Sequence, residues 1–133
     1  PRILITGSPI GGATEKVIKC LEDNGAQVVV YENCSGAKSV DELVDEDAED
    51  IYDALARRYL NIGCSCMTPN PNRFQLMGRL IDEYQVDAVV DVVLQACHTY
   101  NVETYNSKSS SPRKRRSPIC LWKPITLPRM WAS

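Results

Sequence analysis

The stretch Ala26-Gln27-Val28-Val29-Val30-Tyr31 decides the fold. Its β-branched run lacks polar alternation, as in a parallel-sheet strand covered by helices on both faces. Upstream, Arg2 to Thr6 is a second short apolar run, closed by Gly7-Ser8-Pro9. Between them the pattern turns helical from Thr14, with Val17, Ile18 and Leu21 on one face and Asn24-Gly25 as the stop. Downstream, a helix is expected from about Asp50 to Leu60, where Ile51, Leu55 and Tyr59 repeat every four residues. A turn-rich stretch, Asn61 to Asn72, leads into an amphipathic helix from Arg73 to Tyr84 carrying Phe74, Leu76, Met77, Leu80 and Ile81. Val86 to Leu94 is a third strand, again nearly continuous in valine. Strand, helix, strand, helices, strand is the order of an α/β fold: a doubly wound, Rossmann- or flavodoxin-like parallel sheet with flanking helices.

This sheet is expected to be incomplete at the C-terminus. After Ala96-Cys97-His98 a helix and a fourth strand are due. The text instead becomes Ser107 to Ser111, then Arg113-Lys114-Arg115-Arg116, with Pro118, Pro124, Pro128, Trp122 and Trp131 beyond. No period of 2 or 3.6 survives there, so residues 106–133 read as a basic, Ser/Pro-rich tail without a buried face, after a domain covering 1–105.

The 133 residues, 44% hydrophobic and 24% charged, suffice for one domain with a real core. The net charge of −2 conceals a division. Residues 1–105 hold 8 Lys and Arg against 17 Asp and Glu, a net −9, while 106–133 hold 7 basic residues and no acid, a net +7. No apolar run is long enough to span a membrane, and no charged segment precedes a long apolar stretch, so the expectation is a soluble, cytoplasmic protein. A four-residue basic run without a scaffold is weak support for nucleic-acid binding, and none is expected.

Six cysteines without an export signal point to metal or catalysis rather than disulfides. In an open parallel sheet the loops beyond the carboxyl ends of the strands converge on a crevice. Cys34 follows the second strand and Cys97 the third, at the same edge. Cys64 and Cys66 occupy a loop between two crossover helices that can reach that edge. Gathered thiolates select iron–sulfur clusters, zinc or copper(I). The Cys-x-Cys spacing departs from zinc ribbons and fingers, so iron–sulfur leads, with zinc and no metal as alternatives. Cys20, beside Val17 and Leu21, reads as a small buried hydrophobe, and Cys120 has no assigned role. His98 reads as a neighbour that positions its loop. Lys38 is either an anion-attracting group or a solvated lysine. Gly7-Ser8-Pro9-Ile10-Gly11-Gly12 is weak as a nucleotide fingerprint, but Ser8, Gly11 and Gly12 remain candidates for a backbone-donor loop at a helix N-terminus.

The strings Thr6-Gly7-Ser8-Pro9, Tyr31-Glu32-Asn33-Cys34-Ser35-Gly36, Gly63-Cys64-Ser65-Cys66-Met67-Thr68-Pro69-Asn70 and Val93-Leu94-Gln95-Ala96-Cys97-His98 together resemble the 2-hydroxyacyl-CoA dehydratase D-component family. That family includes 2-hydroxyglutaryl-CoA dehydratase and benzoyl-CoA reductase subunits and double-cubane cluster proteins. The match spans residues 1 to about 104 and resembles the C-terminal α/β domain of a subunit that carries another such domain before it. The resemblance implies an iron–sulfur cluster, [4Fe-4S] or double-cubane [8Fe-9S], held by cysteines in a cleft between two α/β domains. It implies an ATP-hydrolysing activator iron–sulfur protein that delivers single low-potential electrons, a homologous subunit as homo- or heterodimer partner, and an acyl-CoA or small-molecule substrate. In dehydratases of this kind the electron reaches an acyl-CoA thioester, whose ketyl radical expels the hydroxyl.

Carried over by position, Cys34, Cys64 and Cys97 are the first ligand candidates for cluster and metal, and Cys66 the next; no catalytic residue is assigned. The Cys64/Cys66 pair leans toward the double-cubane branch. The expected function is thus the cluster-binding domain of an activator-dependent low-potential reductase or dehydratase, inactive as this fragment. A non-catalytic electron-carrier or zinc-binding α/β module is the alternative. The resemblance also implies a closing helix and strand where the tail stands. A codon choice for Ile119 to Ala132 exists whose shifted frame reads as an acidic strand and loop, so a frame slip between about Thr104 and Ser111 is a further expectation.

Overall fold

The computed structural model describes residues 1–9, 11–110 and 119–122. The strands are β1 (Arg2–Gly7), β2 (Gln27–Glu32), β3 (Ala88–Val92) and β4 (Ile119–Trp122), and all their pairings are parallel in the order β2-β1-β3-β4. The helices are α1 (Gly11–Asp23), α2 (Ala37–Val40), α3 (Ile51–Leu60), α4 (Pro71–Glu83) and α5 (His98–Ser110). This is the doubly wound α/β architecture expected from the valine runs. Its order is that of the first four strands of a flavodoxin-like sheet, without a fifth among the described residues.

Two apolar layers hold the sheet. On one face Val17 of α1, with Ile18 and Leu21, packs on Ile3, Ile5, Val90 and Val92. On the other, Met77, Leu80 and Ile81 of α4 pack on Leu4, Val30 and Val89. Alternate β1 residues therefore serve opposite layers, which is why its run is apolar throughout. The chain leaves β1 for β2 on one side and reaches β3 on the other, which makes the β1/β3 boundary the topological switch point.

Three expectations are corrected. The helix expected from Thr14 starts at Gly11, so Gly11 and Gly12 lie in the first turn of α1 rather than in the loop before it. The α3 repeat of Ile51, Leu55 and Tyr59 does not face the core: Ala54 and Arg58 are buried, while Ile51 and Tyr59 are 62% and 66% exposed. Arg58 prevails because its guanidinium donates to the Glu42 and Ser39 carbonyls, tying the acidic segment to the helix. Beyond Cys97, a helix runs to Ser110 and residues 119–122 form the strand pairing with β3, where no periodicity was found. Tyr100, Glu103, Thr104 and Ser107 are buried at the spacing of a helix face, but three of the four are polar, so a hydrophobic pattern misses them. The tail residues 111–118 and 123–133 lie outside the described residues.

Candidate functional site

The parallel register sets Thr6 beside both Glu32 and Asp91, so the chain leaves β1, β2 and β3 at one edge. Gly7 lets the first exit turn close against the third. Its φ is +106°, and a Cβ there would lie 2.2 Å from the Val92 carbonyl oxygen. Ser8 is then fixed to the β3 exit: its amide donates to the Val92 carbonyl at 2.8 Å and its hydroxyl accepts from the Leu94 amide at 3.4 Å. Ser8 is buried, whereas Gly11 and Gly12 are exposed.

Cys34 follows β2 by two residues. Cys97 follows β3 and stands immediately before α5, where its sulfur accepts the Tyr100 amide. That hydrogen bond, with help from Thr99 and Ser8, outweighs burial and holds the Cys97 thiol below its ordinary pKa. The backbone before Cys97 is turned by Ala96 in the left-handed region, at φ +66°. The Cys64 loop reaches the same edge because α4 begins there. Gly63 passes so close to the Arg73 backbone that a Cβ would lie 2.6 Å from its nitrogen. Cys66 donates its thiol to the Cys64 sulfur at 3.3 Å. The Cys66 amide, then burial working against it, then the Cys66 thiol and Lys38 leave Cys64 below its ordinary pKa. Its Cys64 partner pushes Cys66 up.

Lys38 links these loops. The residue is 5% exposed, and its ammonium donates to the Cys34 sulfur at 3.7 Å and to the Tyr100 hydroxyl at 3.5 Å. Cys34 and Cys64 both act on it electrostatically. Cys97 joins through Tyr100, which gives its amide to that sulfur and receives Lys38 on its hydroxyl. Beneath lies a buried polar cluster that sequence reasoning missed. Arg73, fully buried, donates to Glu32 at 3.2 Å, Glu103 at 3.0 Å and the Thr6 hydroxyl at 2.9 Å, and lies 5.3 Å from the Tyr100 ring centre. Asn70 donates to Glu103 at 3.1 Å. Burial pushes the Glu32 carboxyl above its ordinary pKa, although Arg73, Thr6 and Lys38 pull the other way. A charge closing an otherwise apolar buried strand was the available signal, because such a group needs a partner.

Beside the thiols a cavity of about 840 Å³ is lined by Cys66, Met67, Phe74, His98, Val102 and Glu103, among others. His98 is exposed at its rim, and Cys20 lies exposed on α1 rather than buried. Among the described residues no three His, Cys, Asp or Glu side chains converge closely enough to hold a single metal ion. A cubane makes a different demand, since its cysteines bind separate irons and their sulfurs stand apart. Thiols from three loops along one edge, two of them favouring the thiolate, are a donor set suited to such a group. No helix among the described residues is long and apolar enough to cross a membrane.

The sequence model of the 2-hydroxyglutaryl-CoA dehydratase D-component family matches residues 1–115. The chain is 55% identical over 118 residues to the protein named "Putative dehydratase subunit YjiM" of Escherichia coli (strain K12). The alignment covers 89% of this chain and 30% of that relative, so the chain spans under a third of the relative's length. Both matches extend past residue 105, beyond the last of the cysteine motifs, which ends at His98.

Proposed function

The chain belongs to the 2-hydroxyglutaryl-CoA dehydratase D-component family, and on that premise we propose that it is the cluster-holding α/β domain of an activator-dependent dehydratase or related low-potential reductase. The observation that carries this reading is the buried ammonium of Lys38, which donates to the Cys34 sulfur and is felt electrostatically by Cys64, with Cys97 tied to it through Tyr100. Cys34, Cys64 and Cys97 would hold an iron–sulfur cluster, with Cys66 as a further ligand, and the remaining ligands would come from outside this chain. When bound, the cluster supplies single electrons at low potential.

The chain's own residues do the rest. The first turn of α5 presents the Tyr100 amide to Cys97 and favours its anionic form. The Cys66 amide and thiol do the same for Cys64. Arg73 fixes α4 and α5 to the ends of β1 and β2, so the loops bearing Cys64 and Cys97 keep their separation from Cys34. Met67, Phe74 and Val102 give the adjoining open groove an apolar wall against which part of a reactant could lie. Partners in this reading are the ATP-hydrolysing activator, a homologous subunit and an acyl-CoA or small-molecule substrate.

Anaerobic reconstitution of the full-length subunit that carries this domain, followed by iron and sulfide analysis, tests the proposal. About eight irons per subunit supports a double cubane and about four a single cubane. Loss of iron in Cys34→Ser, Cys64→Ser and Cys97→Ser is expected, with a smaller loss in Cys66→Ser. Absence of iron, or stoichiometric zinc instead, favours the carrier or zinc-module reading.

A further inference from the structure

Four of the cations of this domain meet carboxylates. Lys19 pairs with Asp23, Arg57 with Asp53, Arg73 with Glu32 and Glu103, and Arg79 with Asp41. Lys38 differs: its ammonium, on a residue 5% exposed, is directed at a sulfur and a phenol. The Glu32 carboxyl also acts on that ammonium, but its direct hydrogen bonds go to a thiol and a phenol, which replace the hydration of a full charge poorly. An anionic sulfur would offset that cost.

We propose that Lys38 is a positioning residue of the thiol edge: held by Tyr100, its ammonium sets Cys34 beside one buried positive charge and draws anionic reactants to that sulfur. The ligand class is anionic sulfur, as thiolates or as a thiolate-ligated cluster, and for the cluster this rests on the function proposed above. The surroundings make such a charge necessary. Residues 1–105 carry a net −9, so the field of the domain opposes gathering further negative charge. Tyr100 serves as a fixed stop, its ring against Arg73 and its hydroxyl on Lys38.

The test uses the full, metal-free chain and two alkylating agents that differ in charge. In both iodoacetate and iodoacetamide the thiolate forms a carbon–sulfur bond and iodide leaves; only the first carries a carboxylate. Their rates are compared at Cys34 and, as an internal reference on α1, at Cys20, by peptide mass spectrometry. The iodoacetate-to-iodoacetamide rate ratio is expected to be about three- to fivefold higher at Cys34 than at Cys20, the effect of one charge at short range in a wet site. Lys38→Met brings the Cys34 ratio down to that of Cys20, and Lys38→Arg retains it. Equal ratios in the unaltered chain, or an unchanged Cys34 ratio in Lys38→Met, overturn the proposal. The comparison within the unaltered chain decides even where Lys38→Met does not fold. Iron content is a separate measurement: a full-length subunit that binds no iron, while this domain keeps the high Cys34 ratio, overturns the cluster reading alone.

Discussion

Arg73 of α4 meets Glu103 of α5 at 3.0 Å, with the arginine wholly enclosed and the glutamate side chain 8% exposed. The same guanidinium reaches Glu32 at the end of β2 and Thr6 near the end of β1. One side chain thereby joins the sheet to the two helices that follow the Cys64 and Cys97 loops. Arg73→Met leaves two buried carboxylates without their cation and is expected to destabilise the domain by about 3–5 kcal/mol. Adding Glu32→Gln and Glu103→Gln recovers part of the loss. Urea denaturation measures both; a single variant as stable as the parent would contradict the role given to Arg73.

Glu32 makes a pH-dependent contribution. Its folded pKa is raised by burial, so the folded chain binds the proton more tightly than the unfolded chain. The stability attached to that proton is fully present below the ordinary glutamate pKa and is lost as pH rises through the raised value. The parent should therefore lose stability relative to Glu32→Gln as pH increases above the ordinary carboxylate range, with a slope of at most about 1.4 kcal/mol per pH unit for one proton. A parent-to-variant difference that stays flat across that range would refute it.

The two faces of α3 should respond oppositely. Ile51→Ser and Tyr59→Ser, on exposed side chains, are expected to change stability by about 0.5 kcal/mol or less. Ala54→Leu, on the buried face, should cost about 1–3 kcal/mol by overpacking. Asp50 accepts the Tyr52 and Asp53 amides as the N-cap, so Asp50→Ala should cost about 1 kcal/mol. Thermal melts rank all four, and a larger loss from Ile51→Ser than from Ala54→Leu would reverse the assignment of faces.

Gly63→Ala places a Cβ 2.6 Å from the Arg73 nitrogen, a backbone contact that no side-chain rotation relieves. A loss of about 1–3 kcal/mol is expected, together with a changed alkylation rate at Cys64. Gly12→Ala is the control: in the first turn of α1 the added methyl meets nothing within 4 Å, and stability should hold or rise by about 0.4–1 kcal/mol. Equal effects from the two substitutions would show that the close approach at Gly63 does not matter.

The three strands written in valine and isoleucine were legible because burial on both faces demands apolar side chains at every position. So was α4, whose Met77, Leu80 and Ile81 form an ordinary apolar stripe. The thiol loops were placed at one edge by chain order alone, since each follows a strand or a crossover helix. What periodicity misjudged were elements held by polar contacts. Helix α3 turns Arg58 inward on two backbone carbonyls, and α5 buries Glu103, Thr104 and Ser107, none of which registers on a hydrophobic scale.

By itself the sequence determined the class of fold, the order of its elements and which loops carry sulfur, because these follow from local patterns of water exclusion and from connectivity. Only the tertiary structure decided which charges share the interior. Glu32 and Arg73 are 41 residues apart, Thr6 and Arg73 are 67 apart, and Lys38 meets Tyr100 across 62. Pairing at such separations depends on where the packed helices deliver their ends. The desolvation that makes each contact decisive exists only after the chain has closed around it.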